Sequence, residues 1–250
     1  MSEELDRVHR FQRDFNLRKA RRTMDVPGGV AVLNDRFPSS HDDNKLIIWA
    51  GADPGAVVRA ADEALDGLGH RYVHVLDDDL GAALAPAFTA AGYAHSPYLT
   101  MVFRGRPRTD VPAADKLALD EMIRVLRANW RETLPGASAE EVETLALRVE
   151  DRLLGAATVA FRGVRAPGGE VAARADLYVH DDIAQIESVY TAERHRGNGH
   201  ARALMRAMLA EAAGASLIFL YTGSDNWARD FYARLGFEPL GRTHGFLRIE

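Results

Sequence analysis

Between Gly199 and Gly214, apolar residues recur at Ala201, Leu204, Met205, Met208, Leu209 and Ala212. That spacing is one face of a helix, and Gly214 is a suitable terminator. The preceding "IESVYT", 186–191, is rich in β-formers and predicts a strand. Short strands and helices alternate in this way along the chain, which sets the class as mixed α/β (α+β). Helices are expected over 117–131 and from about Ala139, with strands near 155–162 and 175–180. "SLIFLYT", 216–222, reads as a strand and "FYARLGF", 231–237, as a helix end. Separate strands follow around Leu240 and over 246–249.

Prolines and charges interrupt this pattern at "RGRPRTDVPAAD", 104–115, as a linker would. The expected division is therefore 1–110 and 111–250. Each half reads helix, strand, helix, Gly-aromatic, strand toward its end. Setting Gly92-Tyr93 opposite Gly236-Phe237 places Phe88 opposite Tyr232 without a gap, so the halves read as distant copies.

Composition narrows the functional classes. A formal charge of -5 weighs mildly against nucleic acid and suits a cationic substrate. The chain has no cysteine, which excludes disulfides, thiolate zinc sites and an acyl-cysteine intermediate. The first 24 residues lack the apolar core of a signal peptide, and no later run reads as a membrane span. The expectation is a cytoplasmic protein that engages no membrane.

Arginines and glycines crowd the turn ahead of the 199–214 helix. A helix start leaves several N–H groups unpaired and carries partial positive charge, and glycines let a bulky anion approach it. Arg196 and Arg202 add full charges, so a pyrophosphate suits the site. The Walker pattern is absent. The dinucleotide fingerprint fails at Arg202, where it needs a third Gly or Ala, and "SLIFLYT" ends without the acid it also requires.

Arg196-Gly197-Asn198-Gly199-His200-Ala201 fits R-x-x-G-x-G/A, lying between a β-rich strand and an amphipathic helix. A further strand and the Tyr232-x-x-x-Gly236-Phe237 ending follow. On these residues the chain resembles the GNAT superfamily of acyl-CoA-dependent N-acetyltransferases, well over 115–250 and as a degenerate copy before that. The resemblance implies a mixed, splayed β-sheet flanked by helices, present as two tandem copies. It implies acetyl-CoA as cosubstrate, without a metal. The pantetheine arm would lie where "IESVYT" parts from "SLIFLYT", near Val189, Tyr190 and Thr191. The turn Arg196, Gly197, Asn198, Gly199, His200, Ala201 and Arg202 would hold the pyrophosphate. Asn226 falls one residue off the family's usual pantetheine-contacting asparagine.

Acetyl transfer to an amine needs a base, an oxyanion donor and an acid. Glu187 is the expected base: strand alternation puts it with Val189 and Thr191 on one face unless a bulge intervenes. The other reading is a solvated strand glutamate. The Val189 N–H is the family-like oxyanion donor. Tyr232 is the expected acid, at the margin of a buried stripe made by Trp227, Phe231 and Leu235; the other reading is a core tyrosine.

His41-Asp42-Asp43 and His180-Asp181-Asp182 read as turns rather than metal sites. The basic N-terminal stretch, with Val8, Phe11, Phe15 and Leu17 interleaved, reads as a packed amphipathic helix. The first half lacks an arginine ahead of its helix, Pro54 interrupts its glycine pattern, and Phe88 has no hydroxyl. A non-catalytic acyl-CoA-binding or sensor protein is the alternative. The acceptor is expected to be an amine, a small molecule in preference to a protein, with Trp130, Glu132 and Glu140 as candidate contacts. The assembly is read as a monomer or homodimer.

Overall fold

The computed structural model describes every residue except Met1, Thr109 and Asn226. The chain divides into two compact units. The first comprises Met1–Met101, Tyr221–Arg229 and Pro239–Glu250; the second comprises Val102–Leu220 and Asp230–Glu238.

The first unit opens on α1 (Glu3–Lys19), which the Ser2 hydroxyl caps by accepting from the Leu5 N–H at 3.3 Å. Its face of Leu5, Val8, Phe11 and Phe15 is buried, so the basic stretch is the amphipathic helix its spacing predicts. Strands β1 (Arg22–Val26), β2 (Gly29–Leu33) and β3 (Lys45–Ile48) follow, then α2 (Pro54–Ala64), β4 (His70–Val75), α3 (Asp78–Ala90) and β5 (Ala94–Phe103). His41, Asp42 and Asp43 form a turn. Its carboxylates hold lysines: Lys19 Nζ lies 2.8 Å from Asp42 and 2.9 Å from Asp43, and Lys45 Nζ 2.6 Å from Asp42.

The second unit begins with a short β6 (Asp115–Lys116) and three helices, α4 (Leu119–Thr133), α5 (Ala139–Leu147) and α6 (Val149–Arg152). A reciprocal capping box between Ser138 and Glu141 starts α5. Then come β7 (Thr158–Arg165), β8 (Val171–His180), β9 (Ile183–Thr191), a 3-10 turn over Glu193–His195, α7 (His200–Glu211), β10 (Leu217–Gly223) and α8 (Trp227–Ala233). Strand order in this unit is β10-β9-β8-β7-β6, with β9 and β10 parallel and the other pairs antiparallel.

The last strand, β11 (Phe237–Ile249), is one 13-residue element where the sequence suggested two. Gly241 and Gly245 serve close packing within it and do not mark a break. A Cβ on Gly241 would come within 2.7 Å of Leu5, and one on Gly245 within 2.9 Å of the Tyr72 hydroxyl and the Tyr98 ring. From Pro239 onward β11 belongs to the first unit, lying between β4 and β5 and pairing antiparallel with β4 from His244↔Val75 to Ile249↔His70. Phe246 enters that unit's core among Val73, Leu84, Phe88 and Tyr93. The second unit's α4 packs Met122, Ile123 and Leu126 against Val149 and Phe161.

Candidate active site

Helix α7 starts on Gly199, whose φ of 81° is left-handed, and Gly197 has φ 80°. Only glycine takes such angles without strain. A Cβ at either position would meet nothing within 4 Å, so the turn faces open space. Among the described residues no side chain caps α7, and no acid lies in its first turn. The positive end of the helix is thus left uncompensated, while Arg196, exposed, and Arg202, also exposed, add to its charge. The Arg196 Nε donates to the Thr191 carbonyl at 3.3 Å, and the Asn198 amide donates to the His195 and Arg196 carbonyls, both at 3.2 Å. These bonds fix the turn from inside. His200 and Ala201 begin the helix proper.

Strand β9 feeds this turn. It pairs with β10 at Ile183↔Leu217, Ala184↔Ile218 and Gln185↔Phe219, and among the described residues the ladder ends there. From Ile186 to Thr191 the pairing is on the β8 side, so the two strands splay.

The β8–β9 register places Asp176 opposite Glu187 and Arg174 opposite Tyr190. One residue, Ala175, therefore stands against two, Ser188 and Val189, which is a one-residue bulge. Ser188 carries it with φ 56°. The bulge overturns the expected facing of Glu187. Val189 and Thr191 still share a face, but Glu187 moves to the other one with Tyr190. The Glu187 face carries α4 and α6: Arg174 Nε donates to Asn129 Oδ1 of α4 at 2.8 Å, and Arg152 of α6 pairs with Asp176 at 2.7 Å. The opposite face carries α7, where Glu211 pairs with Arg162, the β7 partner of Ala175.

Glu187 is half-buried and accepts from the Gln185 amide at 2.6 Å and the Ser188 N–H at 3.0 Å. Tyr232 is the buried residue of α8, 8% exposed, whereas Trp227 is 76% exposed. The expected stripe led by Trp227 is therefore rotated, with Tyr232 inward against Phe237, ring centroids 6.0 Å apart at 65°. Burial, with the Glu187 charge adding to it, pushes the Tyr232 hydroxyl up to about 12. The two residues are thus within electrostatic reach of each other.

Glu132, a candidate acceptor contact, is engaged otherwise. One oxygen accepts from the Tyr190 hydroxyl and the other from the Glu193 N–H at 2.8 Å, strapping the end of α4 to the end of β9. The Tyr190 bond, foremost, holds the Glu132 carboxyl below its ordinary range. Glu140 is exposed at the start of α5, and Trp130 packs against the α4–α6 core. Asn226 lies outside the described residues.

Sequence reasoning missed the polar row beneath the bulge. Arg174 and Asp176 are buried at 7% and 0% exposure, and the Tyr178 hydroxyl donates to Asp176 at 2.8 Å. The available signal was "VAARADLYVH", where charges at alternate positions interrupt an otherwise apolar strand.

The acetyltransferase (GNAT) family matches residues 118–237. No curated protein matches the chain. Among solved structures, a functionally unknown conserved protein from Staphylococcus epidermidis is similar at 13% identity and TM-score 0.70, over 91% of this chain and 93% of that one. A GCN5-related N-acetyltransferase from Kribbella flavida is 20% identical, with TM-score 0.63 over 98% and 95% of the two chains. A tandem GNAT protein from the clavulanic acid biosynthesis pathway is 16% identical, with TM-score 0.59 over 99% and 95%. At these identities the structures speak for the fold. Family match and fold agree: residues 118–237 carry the match to the acetyltransferase (GNAT) family of acyltransferases, and the solved structures share the fold over nearly the whole chain.

Proposed function

We propose that the second unit transfers the acetyl group of acetyl-CoA to a primary amine by direct attack in a ternary complex. The observation that carries this reading is the parting of β9 from β10 directly ahead of an uncapped, glycine-opened helix start. Open backbone beside β9 suits the amides of a pantetheine arm near Val189, Tyr190 and Thr191. The turn from Arg196 to Arg202 suits a pyrophosphate, whose charge would compensate the helix end. Acetyl-CoA supplies the thioester carbon that the amine attacks.

Glu187 is the base of this reading. An alkyl ammonium with a pKa near 10 must lose a proton before it can attack, and Glu187 shares the face occupied by α4, where the acceptor would approach. The Val189 N–H donates to the oxygen that gains charge as the amine nitrogen bonds to carbon. When the C–S bond breaks, the thiolate takes a proton from the Tyr232 hydroxyl, which burial keeps protonated, and the proton shed by the new amide nitrogen restores that hydroxyl through solvent. The acceptor is a small-molecule amine, received beside α4 and α5.

Thiol release from acetyl-CoA, measured across a panel of amines with mass analysis of the products, tests the proposal. Release that depends on an amine and yields the acetylated amine is expected. A chain that binds CoA yet acetylates no amine would instead be a binding or sensor protein.

A further inference from the structure

A side chain of β8 reaches the bulge in β9 from beneath. Arg174 Nη1 donates to the Ser188 carbonyl at 2.9 Å, and its Nε donates to Asn129 Oδ1 at 2.8 Å. Its guanidinium also sits 5.6 Å from the centroid of the Tyr190 ring. The residues on both sides of Val189 are therefore fastened to the same cation, one through its backbone and the other through its ring. Burial brings the Arg174 guanidinium down to about 10, so it stays charged at neutral pH.

The Ser188 carbonyl and the Val189 N–H belong to one peptide group. No peptide bond among the described residues is cis, so the two point in opposite directions across a rigid plane. A carbonyl pinned to Arg174 leaves its N–H aimed away from Arg174. A charge-assisted bond to that carbonyl also polarises the peptide and makes its N–H a stronger donor. Ser188, at φ 56°, sits in a conformation that a non-glycine residue keeps only when its surroundings enforce it.

We infer that Arg174 is a positioning residue that aims and polarises the Val189 N–H as the oxyanion donor, by clamping the Ser188 carbonyl against Asn129. The inference rests on the acetyltransferase reading above. It adds that the donor is set by a buried cation on the neighbouring strand and not by β9 alone.

The test compares Arg174→Met and Arg174→Lys with the parent in three measurements: the Val189 amide resonance without ligand, CoA affinity by calorimetry, and steady-state turnover of acetyl-CoA. Arg174→Met should shift the Val189 amide resonance and lower kcat by roughly 10- to 100-fold, at or below the loss from deleting one oxyanion donor. CoA affinity should stay within about threefold, because the turn at Arg196–Arg202 is untouched. Arg174→Lys, which keeps a charged donor, should recover part of both the resonance and kcat. If Arg174→Met fails to fold, Asn129→Ala loosens the same clamp and should give the same pattern more weakly.

An unmoved Val189 resonance with parental kcat would overturn the inference. So would equal loss of kcat and CoA affinity, or a lysine variant no better than methionine, since either marks a general structural role. The resonance and the CoA affinity are read without turnover. A parent that binds CoA but acetylates nothing would therefore sink the acetyltransferase reading separately.

Discussion

Helices α2 and α7 occupy equivalent places in the two units, each after a strand that pairs in parallel with the next, and they begin in opposite ways. The α2 start is closed: the Asp53 carboxylate accepts from the Ala56 N–H at 2.8 Å, and Pro54 fills the first turn. A Cβ on Gly55 would already meet Asp53 at 3.2 Å and Arg59 at 3.3 Å. The α7 start is open, with two left-handed glycines and no cap. The strands differ in step. β3 has four residues, whereas β9 has nine and a bulge. The aromatic hinge, by contrast, is kept in both. Phe88 meets Tyr93 edge-on at 5.0 Å, and Tyr232 meets Phe237 likewise at 6.0 Å. Packing is thus shared by the units, while the features that suit an anion and a proton donor occur in the second.

Glu187→Gln should give the largest effect. It removes a proton acceptor with little change in bulk, so kcat should fall by roughly 10³-fold, mid-range for general base catalysis, with CoA affinity nearly intact. An unchanged pH–rate profile in this variant would move the base elsewhere.

The hydroxyl that separates Tyr232 from Phe88 can be exchanged between units. Tyr232→Phe should lower kcat by roughly 10²-fold, with packing on Phe237 preserved. Because its pKa is pushed up to about 12, Tyr232 stays protonated through the working range, and any alkaline limb below about pH 10 belongs to another group. Phe88→Tyr should add no activity and should destabilise by about 2 kcal/mol, since Phe88 is 0% exposed. Parental turnover in Tyr232→Phe would make Tyr232 a core residue.

Acid should act on the first unit through its histidines. Burial lowers His9 and His70, and brings His74 down to about 3. The unfolded chain takes up a proton at His74 near pH 6.5 and the folded chain does not, so stability falls as pH drops from about 6.5 toward 3. His74→Gln should flatten the melting curve's dependence on pH by no more than about 1.4 kcal/mol per pH unit. Melting temperatures from pH 8 to pH 4 check this, and identical slopes in parent and variant would refute it.

The smallest effect expected is that of Asp53→Ala. Loss of the cap should cost about 1 kcal/mol by denaturant unfolding and leave acetyl-CoA affinity unchanged.

Much of this contrast was legible in the sequence, because it resides in backbone requirements. Gly197 and Gly199 announced a strand-to-helix turn open to close approach, and Ala201 to Ala212 the helix behind it. The bulge was not legible. Nothing in "IESVYT" says that Ser188 takes a positive φ or that Arg174 reaches its carbonyl from β8, since both involve a neighbouring strand. The rotation of α8 was missed for a related reason. Apolar spacing cannot say that Trp227 lies outward when the buried place is taken by Tyr232 against Phe237. The returning β11 was hidden because Gly241 and Gly245 read as punctuation until their neighbours are known.

The central claim is that one acyl-CoA site exists, and that it lies at the open helix start of the second unit. Calorimetric titration with acetyl-CoA of the parent, of Asp53→Ala, and of Arg196→Ala combined with Gly199→Pro tests it directly. Proline cannot take the φ of 81° that Gly199 holds, so the double variant loses both a charge and the backbone cradle. The account predicts one acetyl-CoA per chain, undiminished in Asp53→Ala and weakened by at least about tenfold in the double variant. Two molecules bound per chain, or parental affinity in the double variant, would contradict it.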